Sequence, residues 1–586
     1  MKRGGTAVLW CLALAVLVAA HGALGLLRDS FARVAGDEGT FLAMTESLVR
    51  DGDLRFAAAD RARVEADERP GAGTLILQRV GGKLAYSKPV VYPLLAAPFE
   101  AVAGERGLVA LNLLALLAAA AAAGWSLSRG PAAPSAAAWA LLTAVGVGVI
   151  PSYVAYRMSD LLQTALVLTG VALCCVGLRR GGEDDGTVRT GTMGEAARSA
   201  AGGLVLGLAA VARYPNLLAL AGAVCCLAVA RRWRAAAAAA CAGLVAMVSL
   251  SALGAGLTGA ANPYKAERAS FDRASGYPEE AEGPVAEEGF RRRIATQHLQ
   301  ALPVPQPRVS AWAAAYYFVG RHTGLLVYFP AALVFAVSAL RRPDRFSWVL
   351  LATVAAGIVF FVVWMPRNYF GGSTFVGNRY FLTLFPLLLF APRRLPGSRA
   401  LIAVWIVGAV VWGSALLSVE RARELDRSSQ SHAYAGIFPL LPYESTARTL
   451  DGWRDRYWEG TFWRFTDPWA TAGEEAFELV SGRPAAETLL ATRGPVVALR
   501  LAVRSDAPEV VLEVSQHGSR SRLRADTSGP EGRGVVELSL APVWRAHPFW
   551  WAPGVPYDVR ALRWRLAEGS AARVRFLGTV PVGAGS

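Results

Sequence analysis

The sequence is poor in the groups from which disulfide frameworks and zinc sites are built. It has six cysteines and six histidines in 586 residues. Cys11, Cys174, Cys175, Cys225, Cys226 and Cys241 all fall inside apolar runs, where a thiol behaves as a small buried hydrophobe. Charge is also scarce, at 18% of residues against 54% apolar, with a mean hydropathy of +0.34. That balance excludes a string of soluble domains and leaves room for many membrane spans. The net charge of +15 lies in short clusters between apolar runs and is not gathered on one soluble face, which excludes nucleic acid as a partner. A second, paired helix break is lacking too, and that counts against a transporter built from repeated halves.

What is present is a series of apolar segments. Residues 7–27, 107–127, 132–151, 161–178, 235–257, 323–340, 346–365, 380–392 and 400–418 read as spans, the first as an uncleaved helix and not a removed signal. The stretch 201–230 carries "RYPN", Arg213 to Asn216, at its centre. Reading it as two crossings places "RRWR" (231–234), "RRPDR" (341–345) and "RRLPGSR" (393–399) on the cytoplasmic side, as the positive-inside bias requires. The expected fold is therefore a mainly α polytopic membrane protein of about 11 spans, N-terminus inside, with the "RYPN" break at membrane depth. Residues 181–198 read as a flexible cytoplasmic loop.

Beyond residue 420 the pattern changes. A linker, 421–454, leads to a region from 455 to 586 with period-two segments at 496–504, 509–516, 535–540 and 572–580, separated by Gly, Pro, Ser and Asp. This predicts an extracytoplasmic β-sandwich-like domain. Its "HPFWWAPGVPY" (547–557) suits either a carbohydrate-facing aromatic patch or ordinary packing.

The candidate chemistry gathers in the outer loop 28–106. In "GDEGTFLAMTESLVRDGDLRF" (36–56), Phe41, Leu42, Thr45, Leu48 and Val49 recur at helical spacing and Gly52 ends the run. Asp37 then falls at the N-cap of an amphipathic surface helix, where Asp and Glu are favoured for purely local reasons. "KLAYSKPVVYPLL" (83–95) brings Lys88 and Tyr92 to an interrupted apolar stretch, 89–103, expected at the interface. "PSYVAYRMSD" supplies Arg157 and Asp160 at the mouth of an apolar helix, either lining a cavity or pairing with each other at i, i+3. Arg213 in the broken helix can meet a lipid phosphate, snorkel or bind loose carbonyls. "RNYFGGSTFVGNRYF" (367–381) offers Asn378 and Arg379 in a glycine-rich turn fit for phosphate, sugar hydroxyls or a tight bend. In the outer loop 258–322, Tyr264, Lys265, Arg321 and His322 have no fixed role.

"DEGTFLAMTESLVRDGDLRF" followed by "YSKPVVYPLL" resembles the first outer loop of GT-C-type, polyprenyl-phosphate-dependent glycosyltransferases, including protein O-mannosyltransferases and the lipid A aminoarabinose transferase. The resemblance covers residues 1–420. It implies a membrane enzyme that transfers a sugar from a polyprenyl-phosphate donor to a hydroxyl of a glycan, lipid or protein acceptor outside a bacterial inner membrane. Asp37 would be general base, with Glu38 supporting the helix, the acceptor or a cation, and Lys88 would hold the donor phosphate, a role that the residues' own placement also offers to Arg213 and Arg379. Arg157, Asp160, Asn378 and Tyr92 would line the substrate pocket. Thr40 and Ser87 stand where the aminoarabinose transferase has Arg and Glu, so its metal site does not carry over, and a divalent cation (Mg or Mn) is admitted but not demanded. The competing reading is a non-enzymatic carrier or transporter of lipid-linked glycan.

Overall fold

A computed structural model describes residues 34, 36–69, 72–129, 134–176, 178, 193–264, 268–271, 276–279, 307–320, 323–366, 369–371, 377–416, 462–465, 476–481, 486–492, 494–516, 519–541 and 558–581. Segment 7–27, residues 181–192, Lys265, Arg321, His322, the 421–454 linker and the aromatic stretch 547–557 lie outside them. The chain forms two compact units. One comprises residues 1–310, 325–365 and 369–426, the other residues 311–324, 366–368 and 427–586.

The first unit is helical with one small sheet. Helix α1 (Glu38–Arg50) and the short α2 (Ala58–Ala66) precede a hairpin, β1 (Leu75–Val80) and β2 (Lys83–Tyr86). Then come α3 (Val91–Ala103), α4 (Glu105–Ser128), α5 (Pro134–Gly146), α6 (Ser159–Cys175), α7 (Met193–Ala212), α8 (Leu217–Val229) and α9 (Trp233–Thr258). Strand β3 (Arg268–Phe271) returns to pair antiparallel with β1, giving the order β2-β1-β3. Helix α10 (Pro307–Val319) falls mostly in the second unit, and the first resumes with α11 (Leu325–Tyr328), α12 (Pro330–Arg341), α13 (Arg345–Trp364), α14 (Phe385–Phe390) and α15 (Ser398–Leu416).

Among the described residues four helices, α4, α7, α9 and α13, are long and apolar enough to cross a membrane; the other apolar helices are shorter. The chain is thus a mainly helical membrane protein, and full-length helices do not account for all of the expected crossings. Two boundaries move. Helix α7 begins at Met193, inside the stretch read as loop. Its 20 residues rise about 30 Å at 1.5 Å each, so length no longer forces the break after it to mid-membrane. The break itself is where it was expected: Arg213 is extended (φ −160°, ψ 117°) and Tyr214–Asn216 form one 3₁₀ turn before α8. The stretch 89–103 holds a 13-residue helix, α3, with Pro98 inside it, too short to cross.

Packing follows side-chain size. Gly203 and Gly207 of α7 lie against Ala239 and Gly243 of α9, where a Cβ on Gly203 would stand 2.0 Å from the Ala239 carbonyl. Such small-residue seams let apolar helices approach closely without a hydrophobic drive. Away from that seam α9 shows Leu244, Val245 and Val248 to its surroundings. Helix α1 is a mixed case. Phe41, Leu42, Met44 and Thr45 are buried, and only its last turns, with Val49, reach the surface.

In the second unit, strands β4 (Phe462–Phe465) to β12 form two antiparallel sheets. The five-stranded sheet runs β4-β6-β11-β8-β9 and the four-stranded sheet β10-β7-β12-β5. Here β5 is Ala476–Val480, β6 Ala486–Thr492, β7 Val496–Arg504, β8 Glu509–Gln516, β9 Ser519–Asp526, β10 Arg533–Ser539, β11 Asp558–Glu568 and β12 Ala571–Pro581. Both sheets feed one core, which includes Leu499, Leu501 and Val503 from one and Leu512, Val514 and Trp564 from the other. The Trp564 indole N–H is satisfied by Thr488 Oγ1 at 2.8 Å.

Candidate functional site

Asp37 does not act as a capping side chain. It occupies the N-cap position of α1, but its carboxylate makes no cap hydrogen bond. Instead Oδ1 takes Lys88 Nζ at 2.9 Å and Oδ2 takes Arg379 Nη2 at 2.8 Å. Its side chain is 20% exposed, Lys88 10% and Arg379 8%, so the group sits at the rim of the fold and not in sealed core. Burial pushes the Asp37 carboxyl up, but Lys88 and Arg379 together outweigh it and hold the group far below the usual carboxylate range. Burial brings the Lys88 ammonium down to about 8, with Asp37 opposing and Arg268 and Arg379 adding to the fall.

Several elements converge to build this arrangement. The β1–β2 hairpin delivers Lys88: Ser87 N–H donates to the Ile76 carbonyl at 2.9 Å, and Ser87 Oγ to the Pro263 carbonyl at 2.7 Å. Thr40 Oγ1 accepts from Ile76 N–H at 3.0 Å, tying β1 to α1. Both positions that depart from the aminoarabinose transferase are therefore spent on backbone polar groups. Arg379 is placed by its N–H, which donates to the Phe370 carbonyl at 3.0 Å, and by Gly371. A Cβ on Gly371 would lie 2.4 Å from Arg379 Cγ, and φ is +94°, so glycine is needed both for space and for backbone conformation.

The network continues inward. Asp160, in the first turn of α6, takes Arg213 Nη2 at 2.6 Å and lies 3.9 Å from Arg379 Nη1. Tyr380 spreads its ring beneath both arginines, 4.8 Å from Arg213 and 5.8 Å from Arg379. Arg213 Nη1 is buried and has no hydrogen-bond partner among the described residues. A fourth cation, Arg268 at the start of β3, stacks on Tyr264 at 4.7 Å, donates to the Ser87 carbonyl at 3.4 Å and leaves its Nε without a partner among the described residues. Four cations thus surround two carboxylates, an excess of positive charge fit for an anion. Beside Lys88 lies a small pocket lined by Val90, Val211, Tyr214, Leu250 and Gly254, with Ser251 and Thr258.

Glu38 belongs to a different network. It is fully buried, and its Oε1 accepts Arg157 N–H at 2.7 Å and Arg157 Nε at 3.3 Å. Arg157 in turn pairs with Glu105, which Arg69 Nη1 reaches at 2.8 Å, and Arg69 Nε reaches Asp67 at 2.8 Å. The i, i+3 pairing of Arg157 with Asp160 is not formed. Met158 between them is extended (φ −149°, ψ 173°), so Arg157 stands outside the helix and helical spacing does not apply. With both Asp37 oxygens held by cations and Glu38 turned to Arg157, the acid pair presents no joint face to a divalent cation. Among the described residues no three His, Cys, Asp or Glu side chains gather as a metal site.

Tyr92 is fully buried with its ring edge-on to Phe41 at 5.3 Å. Asn378 is buried as well; its Oδ1 accepts from the N–H groups of Tyr380 and Phe381, each at 3.1 Å, shaping the turn that presents Arg379. The structure therefore brings together Asp37, Lys88, Asp160, Arg213 and Arg379, groups Glu38 with Arg157 elsewhere, and leaves Tyr92 and Asn378 as support. Arg268 and Tyr380 are additions. Tyr380 adjoins Arg379 in the glycine-rich loop, whereas Arg268 reaches the site only through pairing of β3 with β1.

No protein-family model matches the sequence, and no curated protein matches it. Two of the solved structures that the chain is similar to are as follows. One is ArnT from Cupriavidus metallidurans bound to undecaprenyl phosphate, with 14% identity, a TM-score of 0.41, and coverage of 74% of this chain and 66% of that one. The other is the arabinosyltransferase EmbB from Mycobacterium smegmatis, with 10% identity, a TM-score of 0.34, and coverage of 97% and 64%. This chain thus spans just under two thirds of the length of each.

Proposed function

We propose that this protein is a membrane glycosyltransferase that moves a sugar from a polyprenyl-phosphate donor to an acceptor hydroxyl, with Asp37 as general base. The observation that carries the reading is one carboxylate held at the rim of the fold between Lys88 and Arg379, with Arg213 and Arg268 close by. Each part answers a demand of the reaction. The cations suit the donor's phosphate. The carboxylate takes the proton of the attacking alcohol. As the new bond from acceptor oxygen to anomeric carbon forms, the bond from that carbon to the phosphate oxygen breaks. The departing phosphodiester becomes a monoester with a second negative charge, which the surplus cations stabilise.

The resting geometry adds a step. Asp37 clamped by two cations is a weak base, because proton uptake would give up both ion pairs. A donor phosphate competes for Lys88 and Arg379, draws them off and raises the basicity of Asp37 where it is needed. Donor binding thus precedes and switches on proton abstraction. Transfer from a polyprenyl-phosphate sugar pool, assayed in membranes, tests the assignment: Asp37→Asn loses transfer while staying folded, and full activity in that variant sinks it.

A further inference from the structure

The outer faces of the two sandwich sheets carry arginines in opposite arrangements. On the five-stranded sheet β9 exposes Arg520, Arg522 and Arg524, and β8 answers them. Glu513 stands directly opposite Arg522, Glu513 lies 3.5 Å from Arg520, and Glu509 lies 3.8 Å from Arg524. On the four-stranded sheet the register does the reverse. Arg533 of β10 faces Arg504 of β7, and Arg504 faces Arg573 of β12, so three exposed arginines stand in one row across adjacent strands. Arg575 lies one step further along β12 and Arg500 two steps along β7, both exposed. Glu537 lies 3.5 Å from Arg500, Glu531 lies 2.8 Å from Arg533 and Glu478 stands opposite Arg573, so these five arginines still outnumber the three glutamates beside them.

Like charges directly opposite on neighbouring strands are unfavourable in isolation. At strand spacings of about 4.8 Å the row packs its guanidinium roots within about 10 Å. The orientation of the row is fixed by the alternating core residues Val536, Leu501, Val503 and Val574, which point the other way. Between the arginines the same face shows Val535, 70% exposed, and Leu577, 50% exposed.

We propose that this face docks on the anionic headgroups of a lipid bilayer. The array extends in two dimensions, which matches a field of phosphates better than the single track a linear polymer needs. Guanidinium groups bind phosphate in bidentate fashion, and the bare aliphatic side chains between them gain a place in the interfacial region of lipid. The sandwich shares its chain with helices of membrane-crossing length, so a bilayer surface is present at high effective concentration. Each arginine at an anionic surface favours contact by about fivefold.

The test uses the full-length protein in nanodiscs of phosphatidylcholine with or without phosphatidylglycerol, each doped with a photoreactive analogue of its own lipid, and maps crosslinked peptides by mass spectrometry. The expected result is labelling of β7, β10 and β12 by the phosphatidylglycerol analogue. Labelling drops at least tenfold in Arg504→Glu/Arg573→Glu and is unchanged in Arg522→Glu on the opposite sheet. Amide exchange in the core strands confirms that each variant is folded. Absence of labelling on these strands, equal labelling in the double variant, or protection of the face by soluble polyphosphate without any lipid labelling overturns the proposal. The transfer assay plays no part in this outcome.

Discussion

Asp37 and Glu38 are neighbours in sequence and opposites in circumstance. Asp37 looks outward, 20% exposed beside Lys88 at 10%, into a network in which Arg213 and Arg268 have donor capacity to spare among the described residues. Glu38 looks inward to Arg157, both fully buried, in a ladder that continues through Glu105 and Arg69 to Asp67. The first network can exchange partners with a ligand. The Glu38–Arg157 pair cannot, since taking one partner away strands a charge where water does not reach, although Glu105, Arg69 and Asp67 beyond it are 28–29% exposed. A single helix N-terminus thus carries one carboxylate for chemistry and one that fixes its position.

The comparison breaks most visibly at Asp37. Asp37→Asn lowers the transfer rate by about 10²- to 10⁴-fold, the range for a general base, with little change in thermal stability. Arg157→Met acts the other way: it costs about 3–5 kcal/mol of stability by leaving the buried Glu38 carboxylate without its guanidinium, read as a fall in unfolding temperature in detergent. If Arg157→Met leaves stability untouched, the Glu38–Arg157 pair is not sealed from water. Arg379→Ala weakens binding of polyprenyl phosphate by about ten- to a hundredfold, the worth of a hydrogen bond to a charged group, with smaller effects on stability.

Two pH effects sharpen the contrast. The Lys88 ammonium, lowered to about 8, keeps its charge below that pH and loses it above, so affinity for polyprenyl phosphate falls as pH rises through about 8; Lys88→Arg removes that dependence. Glu100, on the short helix α3, is pushed up to about 7, first by burial and then by Glu46 and Glu105. Between its ordinary value of 4.5 and 7 the folded state holds the proton more tightly than the unfolded chain. Stability therefore declines as pH rises through that window, and Glu100→Gln flattens the decline in a melting series.

Much of this was legible in the sequence because it was local. The helix start at Asp37, its stop near Gly52, the break at Arg213 and the strands at 496–504 and 509–516 follow from short-range pattern and turn chemistry. Lys88, Asp160, Arg213 and Arg379 could be singled out because ionisable groups are costly beside apolar helices. Which acid each cation would choose was not legible, since that depends on pairings across 50 to more than 300 residues. Arg268 was hidden for the same reason: a four-residue strand carries no signal until it adds to the edge of β1.

The measurement closest to the central claim is the affinity of purified Asp37→Asn for polyprenyl phosphate, set beside its transfer rate. Neutralising Asp37 frees Lys88 and Arg379, so the variant should bind the lipid phosphate more tightly than the parent while transferring no sugar. Binding that weakens together with activity would contradict the account, because Asp37 would then be holding the donor and not competing with it for the same two cations.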